Sequence, residues 1–239
     1  MTNAKLDTAD SFDRIFALYT RQFAVLIGAA LAIYIPIGIL SGLVVSSGSV
    51  ALAVVLGVLS AIGQALYTGA VVESVEDMRD GRRDYSAVEL LRGAVPYLFP
   101  LIVAGILYGL SIAVGLILLI VPGLLALTWF SLYAPAIVVE KRGIFDAFTR
   151  SRELVRGNGW RVFGVIVVAF LIQSVIQNLL SQIGINADSV VLRVILSVVG
   201  GVITAPIMAL AVSVVYFQLR DIERGVPAPV ATAPPPPAI

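Results

Sequence analysis

The chain contains no cysteine and no histidine. The first absence excludes disulfides, thiolate catalysis and thiolate metal sites, although it leaves the redox compartment open. The second removes the side chain most used near neutral pH as acid, base and metal ligand. Charge is scarce as well: 13% of the 239 residues are Asp, Glu, Lys or Arg, while 59% are apolar. Together with a mean hydropathy of +1.00, that balance excludes a soluble globular domain. The amino terminus is acidic and polar, without the basic region and cleavage site of a removable signal peptide, so the first apolar segment is expected to stay in the chain. A phosphate-cradling loop with its lysine and a zinc signature are also missing.

What remains is a set of long uncharged tracts, from Gln22 to Val72, Gly93 to Val139, Val162 to Ala187 and Val194 to Leu219. A helix of about 20 residues crosses the hydrocarbon, so the first two tracts hold two spans each. The expected fold is all-α, a polytopic membrane bundle of six transmembrane helices in three hairpins. The spans fall at roughly 23–45, 50–72, 97–119, 123–139, 162–181 and 194–217. Between the third and fourth, Pro122-Gly123 is the turn signal. Pro36, Pro100, Pro135 and Pro206 are candidate kinks, and Gly38, Gly42, Gly105 and Gly109 are candidate points of close helix contact. Residues 1–225 read as one helical domain, and the Pro- and Ala-rich residues 226–239 as a disordered tail.

Of the 16 Lys and Arg residues, only Arg193 falls on one side of this layout; the other fifteen fall on the opposite side. The positive-inside bias then predicts a multi-pass protein of the cell membrane with both termini cytoplasmic. Before each outgoing span lies a short segment with helical spacing: Phe12, Ile15, Phe16 and Tyr19; Tyr85, Val88 and Leu91; Ile144, Phe148 and Val155. The repeating unit reads as surface helix, span, turn, span. These amphipathic helices are expected to lie in the interface with their apolar stripes toward the acyl boundary.

The stretch "RSRELVRGNGWRVF" at 150–163 is the most charged link. On a helix, Asp146, Arg150 and Glu153 share a stripe suited to mutual ion pairs. Arg150, Arg152, Arg156, Trp160 and Arg161 are the candidate contacts for lipid headgroups or a partner, with Trp160 at the depth tryptophan favours. Inside the membrane, Gln64, Gln173, Gln177 and Asn178 are candidates for interhelical packing or a solute path. Glu73 is the nearest approach of a charge to the membrane interior, and is read as having reached the interface.

Residues 121–168, "VPGLLALTWFSLYAPAIVVEKRGIFDAFTRSRELVRGNGWRVFGVIVV", resemble the membrane domain associated with glycerophosphodiester phosphodiesterases. The resemblance is carried by Pro122, Gly123, Trp129, Pro135 and Glu140, and by Ala147, Ser151, Leu154, Gly157 and Trp160. "VVYFQLR" at 214–220 is similar to that family's closing motif, with Gln218 where an acidic residue is usual. The resemblance implies a stand-alone membrane domain without the catalytic barrel, and no catalytic residue to carry over. The expected role is therefore noncatalytic, without cofactor or metal: a membrane scaffold or lipid-surface protein. Its partners are phospholipids, a second copy or another membrane protein, and not nucleic acid. Transport of a small or lipid-like solute is the alternative.

Overall fold

A computed structural model describes residues 5–79, 86–186 and 189–225, apart from the side chain of Val45. Tyr85 of the second surface segment and the 226–239 tail lie outside the described residues. Among the described residues, ten α-helices follow in chain order: α1 (Thr8–Arg21), α2 (Phe23–Ser47), α3 (Val50–Arg79), α4 (Ala87–Ala94), α5 (Leu98–Leu118), α6 (Ile120–Trp129), α7 (Tyr133–Val138), α8 (Ile144–Val155), α9 (Gly159–Asn186) and α10 (Val190–Arg224), with a 3-10 turn Val95–Tyr97 between α4 and α5. Among the described residues there is no strand, and six helical stretches are long and apolar enough to cross a membrane. The protein is an all-α polytopic bundle.

The hairpin α2–α3 turns at Gly48, in the left-handed conformation (φ 63°). α9 leads to α10, whose Ser189 accepts the Leu192 N–H as N-cap. α10 is the axis of the fold. Its inner half, from Gly200 to Leu219, is almost wholly buried among α1, α2, α3 and α9, whereas its first ten residues are not. The same asymmetry runs through the bundle: Leu26 to Ile33 of α2, Gly63 to Val75 of α3 and Val162 to Ala169 of α9 hold the core. The far halves, with Ile39, Leu43, Val54 and Leu179, face outward. Such residues meet hydrocarbon at no cost, so packing is concentrated where polar groups must be satisfied.

Small residues bring helices together at only some of the expected places. Gly38 and Gly42 of α2 face Val198 and Val194 of α10, and a β-carbon at Gly42 would lie 2.9 Å from Val194 Cγ2. At Gly109, by contrast, a β-carbon would meet open space, so "GILYG" is not a tight helix crossing. Pro36 and Pro206 sit inside unbroken helices.

The α5–α6 turn falls at Leu119, which is extended (φ −164°, ψ 149°). Pro122-Gly123 lies just beyond it, in the first turn of α6, where proline lacks no bond a helix would make. Gly123 then lets the returning helix close on Gly115, whose β-carbon would come within 2.7 Å of the Gly123 backbone. This tip differs from the serine-bearing Ser46–Ser49 turn. No hydroxyl, amide or charge occurs from Ile112 to Leu127, and Ile117 to Val121 are exposed. The returning stretch Ile120–Val138 is 19 residues, about 28 Å at 1.5 Å per residue, against a hydrocarbon core of about 30 Å. The tip is therefore expected to stop within hydrocarbon. In this cysteine-free chain, Leu119→Cys in sealed vesicles should resist a membrane-impermeant maleimide applied from either side, whereas Ser49→Cys should react. Equal labelling would place the Leu119 turn in water.

The fourth span is broken rather than continuous. Proline at position 135 cannot donate to the Ser131 carbonyl, and its ring crowds that carbonyl. The chain turns through Phe130–Leu132 between α6 and α7. The break leaves the Leu132 N–H and Trp129 C=O without helical partners inside the protein.

Candidate functional site

Three sets of polar side chains converge on the charged end of α10. From α1, which is capped by Asp7, the Ser11 hydroxyl donates to Gln218 Oε1 at 2.6 Å. Gln218 Nε2 donates in turn to Asp10 Oδ2 at 2.8 Å, and Arg14 pairs with the same oxygen. An acidic residue at 218 would set two carboxylates against each other; the amide can accept from Ser11 and donate to Asp10. From α3, Arg79 makes a two-pronged contact with Asp221 at 2.7 and 2.9 Å and lies over the Phe217 ring.

The third set is the most enclosed. Just beyond α7, Glu140 accepts from Arg150 Nε at 2.9 and 3.0 Å, from Arg142 Nε at 2.7 Å and from the Tyr216 hydroxyl at 2.8 Å. The other edge of the Arg150 guanidinium grips Glu223 at 2.7 and 2.5 Å. The Glu140 and Arg150 side chains are both 12% exposed. α7, α8 and α10 are thus tied by one planar fork, a geometry arginine supplies and lysine does not. Burial pushes the Glu140 carboxyl up, but the hydrogen bonds from Arg150, Tyr216 and Arg142 outweigh it and hold the group below the ordinary carboxylate value. A depressed folded-state pKa gives stability that is present above the unfolded value, about 4.3, and lost as pH falls through the folded one. Unfolding in detergent should show this acid-side loss, and Glu140→Gln should reduce its steepness. An unchanged slope in the variant would assign the loss to other carboxylates.

The residues of "RSRELVRGNGWRVF" separate into distinct roles. Arg150 is committed to Glu140 and Glu223, with Glu153 at 3.9 Å. The expected Asp146 pair does not form, because carboxylates from α10 and the end of α7 reach the guanidinium first. Ser151, fully buried, bridges the broken span: its hydroxyl donates to the Trp129 carbonyl at 2.7 Å and accepts the Leu132 N–H at 3.0 Å. Ala147, Leu154 and Val155 are buried beside it. The face of α8 expected to enter the acyl boundary is therefore turned into the protein, drawn in by unsatisfied backbone at the break. α1 buries Ser11 and Ile15, while Phe16 of its expected stripe and Val88 of the second segment's are 71% and 58% exposed. Arg152 stacks over the Trp129 ring at 4.8 Å.

Gly157 (φ 87°) reverses the chain after α8, a conformation side-chain-bearing residues adopt at a cost. Asn158 then accepts the Leu6 N–H at 3.0 Å, and Arg161 donates to the Leu6 carbonyl. "RGNGWR" is thus a clasp on the amino-terminal segment, with Leu6 buried beneath it. Trp160 is 84% exposed and meets Phe163 edge-on. Beside it a groove of about 590 Å³ runs between α6 and α9. Its lining includes Lys5, Asn158 and Arg161 with Trp129 and Trp160 toward the charged end, and the apolar Val121, Leu124, Leu125 and Phe163.

Of the four intramembrane amides, only Gln177 and Asn178 line a common crevice. Gln64 accepts from the Tyr34 hydroxyl at 3.0 Å and donates to Thr68. Gln177 donates to Thr204 at 3.1 Å, bonding α9 to α10, while Asn178 donates to the Ser174 carbonyl on its own helix. Gln173 has no hydrogen bond among the described residues. A polar crevice of about 340 Å³ at the far end brings Gln177 and Asn178 together with Ser181, Arg193 and Ser197. Glu73 lies well before the end of α3, with one oxygen buried and unpartnered among the described residues and its carboxylate against Gly93.

Sequence reasoning singled out neither Glu223 nor Asp221 as a partner, since each meets its arginine from a distant part of the chain. Glu140 and Tyr216 were visible only as parts of family-like motifs, without their shared bond.

These features define a class: a helical membrane protein whose hairpins are tied at one end by buried polar contacts around a single axial helix. Within that class, the chain belongs to the Uncharacterised protein family UPF0259, whose profile matches residues 47–216. It is similar to a UPF0259 membrane protein of Pectobacterium carotovorum subsp. carotovorum (strain PC1), at 32% identity over 159 residues. The match covers 66% of this chain and 62% of that protein, so the chain spans less than two thirds of its relative's length. No solved structure matches. These matches supply no link to the glycerophosphodiester phosphodiesterase membrane domain; the family they support is UPF0259 alone.

Proposed function

We propose that this protein is a noncatalytic membrane scaffold whose charged end works against an anionic lipid surface. One observation supports this above the others. Four acidic groups at that end, Asp10, Glu140, Asp221 and Glu223, are engaged in the ties to α10, while Lys5, Arg21, Arg92, Lys141 and Arg156 have no carboxylate within 4.0 Å among the described residues, and Asp13, Asp77 and Asp146 have no cation within that distance among them. The end thus presents cations without ion pairs, beside a smaller number of unpaired carboxylates. Each such residue near an anionic surface contributes about 1 kcal/mol. By the positive-inside bias this end is cytoplasmic, with both termini inside the cell membrane.

The test is the unfolding midpoint in nanodiscs of phosphatidylcholine with and without phosphatidylglycerol. The midpoint should rise with the anionic lipid, and the rise should shrink in high salt as screening sets in. Equal midpoints in the two discs would sink the surface reading. A second reading, passage of a small solute, is favoured by the Gln177–Arg193 crevice. Saturable flux into liposomes that Gln177→Leu abolishes would establish it.

A further inference from the structure

We infer that the groove between α6 and α9 holds one anionic phospholipid, its phosphate at Lys5 and Arg161 and one acyl chain along Leu125 and Phe163. The inference rests on the reading of the charged end as lipid-facing and adds a discrete site to it.

The two walls run in opposite directions, so the mouth and depth of the groove are set by the fold. α9 enters at Trp160, while α6 arrives at Trp129. Moving away from the charged end, the lining on α9 runs from Asn158 through Trp160 and Arg161 to Phe163, and on α6 from Trp129 and Thr128 to Leu125, Leu124 and Val121. Cations and interfacial aromatics at one end followed by hydrocarbon side chains match the order of headgroup and acyl chain along a phospholipid. The distance fits as well. Trp129 to Val121 is eight residues, roughly 12 Å of helix, against about 15 Å for half the hydrocarbon core.

Charge selects the lipid class. No Asp or Glu lines the groove, and both charged residues in its lining are basic. Arg161 spends one Nη on the Leu6 carbonyl, and the guanidinium has further donors. Lys5, exposed and without an ion pair among the described residues, supplies a mobile ammonium opposite. Arg156 follows α8 just before Gly157, and Arg152 covers the Trp129 face, adding positive potential. A soluble phosphate compound would satisfy the mouth but leave the apolar depth unfilled; an acyl chain satisfies both.

The groove owes its shape to devices seen above. The Pro135 break sets Trp129 at its mouth, Ser151 fixes that break, and the Asn158–Leu6 bond brings Lys5 across. None of these elements was expected to form a pocket from spacing alone.

Native mass spectrometry of the full chain, released from detergent with graded phosphatidylglycerol or phosphatidylcholine, tests the site. One phosphatidylglycerol should persist at activation energies that strip the remainder, and phosphatidylcholine should not. Lys5→Ala should weaken retention roughly fivefold, the equivalent of about 1 kcal/mol. Leu125→Trp, which fills the apolar depth and leaves every charge in place, should abolish the persistent adduct. Circular dichroism and the unfolding midpoint in phosphatidylcholine discs establish that this variant is folded; if it is not, Phe163→Trp replaces it. Persistence of the adduct in a folded groove-filled variant, or equal retention of the two lipids, overturns the inference. If wild type shows no persistent adduct yet is still stabilised by phosphatidylglycerol discs, the discrete site fails and the surface reading stands. If neither effect appears, both fail.

Discussion

Glu140→Ala is expected to lower the unfolding free energy by about 3 kcal/mol. Removing one partner of an enclosed ion pair costs about 3–5 kcal/mol, because the remaining charge stays desolvated without its counterpart. The lower end applies here, since Arg150 keeps Glu223 on its other edge. The loss also strips the Tyr216 hydroxyl of its acceptor between α7 and α10. Glu223→Ala is the comparison: its side chain is 49% exposed, so solvent screens the pair and about 1 kcal/mol or less is expected. The double variant Glu140→Gln with Arg150→Met should recover part of the single-variant loss, because no unpaired charge is then left inside. Reversible unfolding in a mixed-micelle titration reads all three. Equal effects for Glu140→Ala and Glu223→Ala would mean that the Glu140 pair is as well solvated as a surface one.

Ser151→Ala should be the second large effect, at about 1–3 kcal/mol. The hydroxyl's loss leaves a buried N–H at Leu132 and weakens the satisfaction of the Trp129 carbonyl, and an unmet buried polar group carries that penalty. Thr149→Ala, two residues away on the exposed face of α8, is expected to stay within about 0.5 kcal/mol. Ser151→Cys, close in size and weaker as a donor, should fall between. A wild-type midpoint for Ser151→Ala would show that the break in the fourth span is held by packing alone. The same variant also tests the groove's foundation, since Trp129 at its mouth is positioned by this bond.

Both expectations concern residues that stood out in the sequence for other reasons. Ser151 belonged to a recurring spacing, and Arg150 was set apart from the other three arginines by its intrahelical acidic neighbours. In the structure the four arginines have different partners: one locks three helices, one covers an indole, one has no ion pair among the described residues, and one donates to the Leu6 carbonyl. Helical spacing finds neighbours three or four positions apart, and so it supplied Asp146 and Glu153 as partners for Arg150. Coulomb attraction and fork geometry favour whichever carboxylates arrive, and Glu140 and Glu223 arrive from ten and 73 residues away. Local periodicity contains no information about such pairs.

The number of spanning helices, their pairing into hairpins and the separation of a charged end from an apolar one were all legible in composition and order. Hydrocarbon length and the cost of placing charge in it leave little freedom there. The direction in which the surface helices turn their apolar faces was decided only in three dimensions. An apolar stripe is served equally by acyl chains or by neighbouring helices. What chose between them was the unsatisfied backbone at the Pro135 break and the row of acceptors along α10, neither of which exists until distant segments meet. Sequence thus determined that this is a helical membrane protein with a charged end; tertiary structure decided which part of that end's chemistry is turned inward, because buried polar groups must find partners and the ones within reach belong to other helices.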